Sequence, residues 1–194
     1  MADPGGAPGL IRICLDLNVW IADFLSTRRE RRSGSSAWLA DAVRSGMSPA
    51  GPVQLVVSLG MLDRLASVLT REFAVPPILA DALVRAISNI AEFGPAGDYP
   101  HVVVGGSVYP IRDVEDRHVL EVAVAGHADV LATANLRDFD MDDIEKVGSG
   151  SRVRIYVPPG RNALVIAHPD HVCAWLRAGV VPDVGIARES LPQL

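Results

Sequence analysis

Apolar positions fall into two rhythms along the chain. LIRICL (10–15), VQLVVS (53–58) and ADVLAT (128–133) are short apolar runs, and RVRIYV (152–157) alternates polar with apolar, so all four predict strands. Between them apolar residues recur at helical spacing over 18–26, 36–46, 59–73, 77–92 and 114–126. A sixth helix is predicted from HPDHVCAWLRAG, where Pro169 suits a first turn and Gly179 a stop. HVVVGG (101–106) offers an extra edge strand. Strands separated by helices imply parallel pairing, hence a three-layer α/β/α sandwich around a four- or five-stranded parallel sheet. No repeat or linker divides the chain. One domain is expected over 10–180, between Gly/Pro-rich tails at 1–9 and 181–194 that are expected to be loosely ordered.

In open parallel sheets ligands collect beyond the carboxyl ends of the strands, so the residues that follow each apolar run carry the chemistry. Asp16 and Asn18 follow the first run, and Asp63 falls in the first turns of the helix after the second. Asp116 opens the fifth helix in register with Val119, Leu120 and Ala123, the side expected to face the sheet. Thr133, Asn135, Asp138 and Asp140 follow the third run. Each acid has a plain structural alternative. Asp16 suits a helix N-cap, Asp113 with Asp116 resembles a capping box, Asp63 suits an exposed pair with a nearby arginine, and Asp138 and Asp140 suit loop solvation. What favours a site is convergence, because the topology gathers four acidic positions from three strand ends.

Carboxylates so gathered repel one another unless a cation compensates them. Oxygen donors without His or Cys select Mg²⁺ or Mn²⁺ over zinc, and such sites act on phosphate esters through a metal-bound water. Other phosphate chemistries fit less well. There is no G-K-[ST] sequence for a P-loop. Haloacid-dehalogenase-like phosphatases call for D-x-D and a lysine, whereas Asn18 stands at the second acid and Lys146 is the sole lysine.

Composition narrows the partners. The net charge of −5 excludes a uniformly basic nucleic-acid binder but leaves room for a local patch. STRRERRSG (26–34) supplies one, with Arg28 and Arg29 as candidate phosphate contacts or as part of a solvated loop. The two cysteines, Cys14 and Cys173, form no zinc or disulfide framework. A basic apolar leader and a membrane-spanning run are both missing, so a cytoplasmic protein is expected.

Read in order, these motifs resemble the PIN-domain ribonuclease family, which includes VapC-type toxins of toxin–antitoxin pairs. Asp16-Leu17-Asn18 matches its first acid, Ser58 through Asp63 its second, Asp113, Asp116 and Leu120 its third, and Thr133, Asn135, Asp138 and Phe139 its fourth region. The family's second acid is usually Glu, one methylene longer than Asp63. Its fourth acid often stands where this chain has Asn135, with the charge displaced here to Asp138. The resemblance implies an Mg²⁺- or Mn²⁺-dependent endoribonuclease with Asp16 and Asp116 as principal metal ligands and Asp63 as a water-positioning acid. Asp138 would hold or orient a second metal, while Asn18, Thr133 and Asn135 bond these carboxylates or the RNA phosphate. It further implies an antitoxin partner and a homodimer, for which PPILADALVRAI (76–87) is either an interface or ordinary core.

Overall fold

The computed structural model describes residues 9–30, 33–97, 102–103, 114–148 and 152–189. Its strands are β1 (Ile11–Leu15), β2 (Met47–Ser48), β3 (Gly51–Ser58), β4 (Val102–Val103), β5 (Val130–Ala132), β6 (Ile144–Val147), β7 (Val153–Tyr156) and β8 (Leu164–Ala167). Its helices are α1 (Leu17–Arg28), α2 (Ser35–Ser45), α3 (Leu59–Arg71), α4 (Pro77–Glu92), α5 (Val114–Ala125), α6 (Pro169–Arg177) and α7 (Val184–Glu189).

The sheet runs β2-β3-β1-β5-β8-β7-β6, with β4 also paired to β3. β3, β1, β5 and β8 are mutually parallel. Their side chains are buried almost throughout, the environment that continuous apolar runs serve. α1, α2 and α6 pack as one group, α3 and α4 as another, and α5 lies against β1, β3 and β5. The chain leaves β1 for β3 on one side and returns to β5 on the other. Strand order therefore reverses at β1, which opens a crevice at its carboxyl end.

The α/β sandwich matches the sequence expectation, and the sheet is larger than four or five parallel strands. The strand expected at 152–157 is β7; the additions are β2, β6 and β8, and β2–β3, β6–β7 and β7–β8 pair antiparallel. β6 escapes a sequence reading because its middle residues, Glu145 and Lys146, face solvent at the edge. β8 is one more short apolar run, LVIA, which pairs parallel to β5. The 101–106 stretch does contribute an edge strand, β4. Within the stretch expected as a loose tail, Val184–Glu189 forms α7, which buries Ala187 and pairs Arg188 with Glu145 at 2.7 Å. The expected tails at 1–8 and 190–194 lie outside the described residues. Among the described residues no helix is long and apolar enough to cross a membrane.

A buried glutamine ties α4 to the sheet. Gln54 on β3 is fully enclosed; its amide donates to Ala91 O (2.8 Å) and Leu55 O (2.9 Å), and its carbonyl accepts from Ala96 N–H (3.0 Å). Ala91 O belongs to the last turn of α4, where carbonyls lack helical partners. Gln54→Leu keeps the size and strands these groups, so denaturant unfolding is expected to show a loss of about 1–3 kcal/mol.

Candidate active site

Asp16 leaves β1 and becomes the N-cap of α1, so a backbone turn directs its carboxylate into the crevice. Its Oδ1 accepts from Leu17 N–H at 2.6 Å, and its Oδ2 accepts from Thr133 Oγ at 2.6 Å and Asn18 Nδ2 at 2.5 Å. Thr133, fully buried at the end of β5, also accepts from Asn18 Nδ2 (3.1 Å) and Asn135 N–H (3.0 Å). Asn18 Oδ1 in turn accepts from Ala134 N–H at 3.0 Å. These bonds lace β1 to β5 above the sheet and hold Asp16 in one orientation. N-cap and site residue are therefore the same carboxylate.

Asn135 and Asp138 lie on the short 3-10 turn Leu136–Phe139 and its cap, and Asn135 Nδ2 donates to Asp138 Oδ2. Leu136 and Phe139 bury beneath the turn, which leaves Asn135 and Asp138 facing outward. Burial pushes the Asp16 carboxyl above its ordinary value, opposed by the bonds from Thr133 and Leu17 N–H, while the nearby Asp138 charge adds to the rise. The site thus holds carboxylates that a cation would relieve.

A cavity of about 470 Å³ opens over these groups. Asp16, Asn18, Asn135 and Asp138 form its acidic end; Leu17, Ile21, Met61 and Val68 form an apolar wall between α1 and α3. Asp63 does not line it. That residue is exposed on α3, and the next position, Arg64, lines the cavity instead, because one residue turns a helix by a quarter of its circumference. Glu72, just past the end of α3, and His118 on α5 also line the cavity, and the sequence reading found none of these three. His118 had a signal, standing two residues after Asp116. Asp116 itself lies on α5, but its side chain, like Asp113, is outside the described residues. Arg28 and Arg29 are exposed at the end of α1 and do not line the cavity; the Arg28 guanidinium sits 5.8 Å from the Phe24 ring.

Among the described residues no group of three His, Cys, Asp or Glu is placed to hold a metal. The donor set that is described suits a hard cation. A carboxylate offers about four lone-pair positions, and three bonds occupy Asp16, which leaves one on Oδ1. Both cysteines are buried and their thiols are pushed up by burial, so neither is an activated nucleophile.

Asp140, expected to solvate the loop, is a tether instead. Its Oδ1 accepts from Arg154 Nη2 (2.8 Å) and Nε (3.1 Å), and its Oδ2 pairs with Lys146 Nζ at 2.8 Å. Arg154 lies inside on β7 with its side chain 2% exposed. The segment carrying Asn135 and Asp138 is clamped to the sheet by a buried cation.

Comparison with known families adds one finding. A family model described as PIN domain matches residues 12–137, from β1 into the 3-10 turn, and so takes in Asp16, Asp63 and Asp116 but stops one residue short of Asp138. No curated protein and no solved structure matches the chain.

Proposed function

This chain belongs to the PIN-domain family, whose members are generally nucleases, and on that premise we propose that it is a divalent-metal-dependent endoribonuclease, the toxin of a toxin–antitoxin pair. The observation that carries this reading is the hydrogen-bonded Asp16 beside Asp138 at the mouth of the cavity. Asp16, Asp116 and Asp138 would hold Mg²⁺ or Mn²⁺. Bound there, such an ion supplies an activated water and charge stabilisation at the phosphate. The chain's own part is orientation. Thr133 and Asn18 fix the Asp16 carboxylate, and Asn135 steadies Asp138. Asp63, exposed on α3 next to the cavity-lining Arg64, would act through water, and Arg28 and Arg29 would hold the RNA backbone outside the cavity. A second copy would pack on the start of α4, where Ile78 and Leu79 are exposed.

The test is cleavage of single-stranded and structured RNAs with Mg²⁺, Mn²⁺ or EDTA by the wild type, Asp16→Ala and Asp116→Ala. Cutting by the wild type alone, abolished by EDTA, is expected; equal cutting by all three proteins, or none with either metal, removes the reading. Asn135 in the place of an acid favours one alternative, a domain that binds RNA without cutting it. That outcome would appear as retained RNA binding with no product.

Metal binding has a readout of its own. Mn²⁺ at a hundred times its dissociation constant should add about 2.7 kcal/mol to the fold. At about 2–4 °C per kcal/mol for a chain of this size, the melting temperature should rise by roughly 5–10 °C. Asp16→Ala is expected to abolish that shift, and an unchanged shift would show that the ion binds elsewhere.

A further inference from the structure

His118 is held in the cavity by two neighbours, Ser58 and Gly60. Its Nε2 lies 3.1 Å from Ser58 Oγ, at the end of β3. Ser58 is fully buried and, as N-cap of α3, its Oγ already accepts from Met61 N–H at 3.1 Å. A buried hydroxyl proton requires an acceptor, and His118 Nε2 is the one within reach among the described residues. With Ser58 donating to Nε2, the ring's own proton stands on Nδ1. Gly60 provides the room: a Cβ there would stand 2.5 Å from Nε2 and 3.1 Å from Cε1.

Nδ1 has no partner among the described residues, and the ring lines the same cavity as Asp16, Asn135 and Asp138. Of the polar groups around the acids, Asn18, Thr133 and Asn135 spend donors on the carboxylates. Among the described residues His118 spends none there.

We propose that His118 is a substrate-contacting residue of this site, its Nδ1–H donating to a non-bridging oxygen of the RNA phosphate held beside Asp16 and Asp138, with Ser58 and Gly60 setting the ring. This role rests on the nuclease reading above, and the experiment separates the two. With the full chain and single-stranded RNA, His118→Ala is expected to lower kcat/KM about ten- to a hundredfold, the worth of one hydrogen bond to a charged group. His118→Asn, whose amide N–H stands near the Nδ1 position, should recover part of the loss. Gly60→Ala should reproduce the defect by pushing the ring aside with every acid intact. Unchanged kcat/KM in His118→Ala, or no recovery in His118→Asn, overturns the role and leaves the nuclease reading standing. A second measurement does not depend on turnover. In ¹⁵N-histidine-labelled protein with Mg²⁺, uridine 5′-monophosphate should move the His118 Nδ1 resonance, identified by its loss in His118→Asn. If the wild type cuts no RNA, this shift alone decides: movement supports the contact, and a resonance that stays put while phosphate binds, or never responds at any concentration, overturns it.

Discussion

Asp16→Ala is expected to reduce RNA cleavage by more than about a hundredfold, and Thr133→Val by about ten- to a hundredfold, the range for groups that orient a metal ligand. The order follows from what each side chain does. Asp16 is the carboxylate on which the bonds from Leu17, Asn18 and Thr133 converge. Thr133 never reaches the cavity, but its hydroxyl donates to Asp16 and accepts from Asn18 and Asn135 N–H. Valine matches its shape, so the fully buried site stays filled while that relay is lost. The Thr133→Val defect should therefore appear chiefly as a higher Mn²⁺ concentration for half-maximal cleavage, with saturating metal restoring most of the rate. A variant that matches wild type at every metal concentration would mean that the relay does not tune the site.

Asp140→Ala carries the largest expected effect on stability. It removes the carboxylate from a guanidinium that is almost wholly inside the protein, a change that costs about 3–5 kcal/mol in a sealed interior. Asp140 is itself 36% exposed, so water screens the pair and the lower end of that range is expected. Adding Arg154→Met to Asp140→Ala should recover most of the loss, because an apolar chain of similar length needs no carboxylate. A double mutant no more stable than Asp140→Ala would contradict this. Acid has a predictable sign here. The hydrogen bond from Lys146, and then that from Arg154, hold the Asp140 carboxyl below its ordinary value near 3.8. A depressed carboxyl contributes stability that is complete above the unfolded value and is lost as pH falls through the folded one. The gap between wild type and Asp140→Asn should thus be constant from neutral pH to about pH 4 and shrink below it. Because Asp140 also anchors the turn bearing Asp138, its loss should blunt metal binding as well as stability.

The two carboxylates two residues apart, Asp138 and Asp140, show where a sequence reading stops. Both look like loop acids in TANLRDFD. Which one faces the cavity depends on the 3-10 turn that buries Leu136 and Phe139, and which one meets Arg154 depends on β7, which is far along the chain. Asp63 and Arg64 pose the same problem on α3. Apolar periodicity marks which side of a helix is buried, but a residue at the margin of that side is assigned by how the helix rolls against α4 and α1.

His118 depends still more on long-range packing, since Ser58 and Gly60, which hold it, lie about sixty positions earlier and meet it only because α5 settles against β3.

The sequence by itself determined the parallel core, the alternation of its strands with helices, and the placing of Asp16 and Thr133 at strand ends. These follow from local rules, since apolar period sets the element and topology sets the edge on which its successor stands. Tertiary structure alone decided the antiparallel β6–β7–β8 extension, the tether of Asp140 to Arg154, and the entry of Arg64, Glu72 and His118 into the cavity. Each of these is a contact between distant segments, whose energy comes from burying or pairing groups that no local pattern joins.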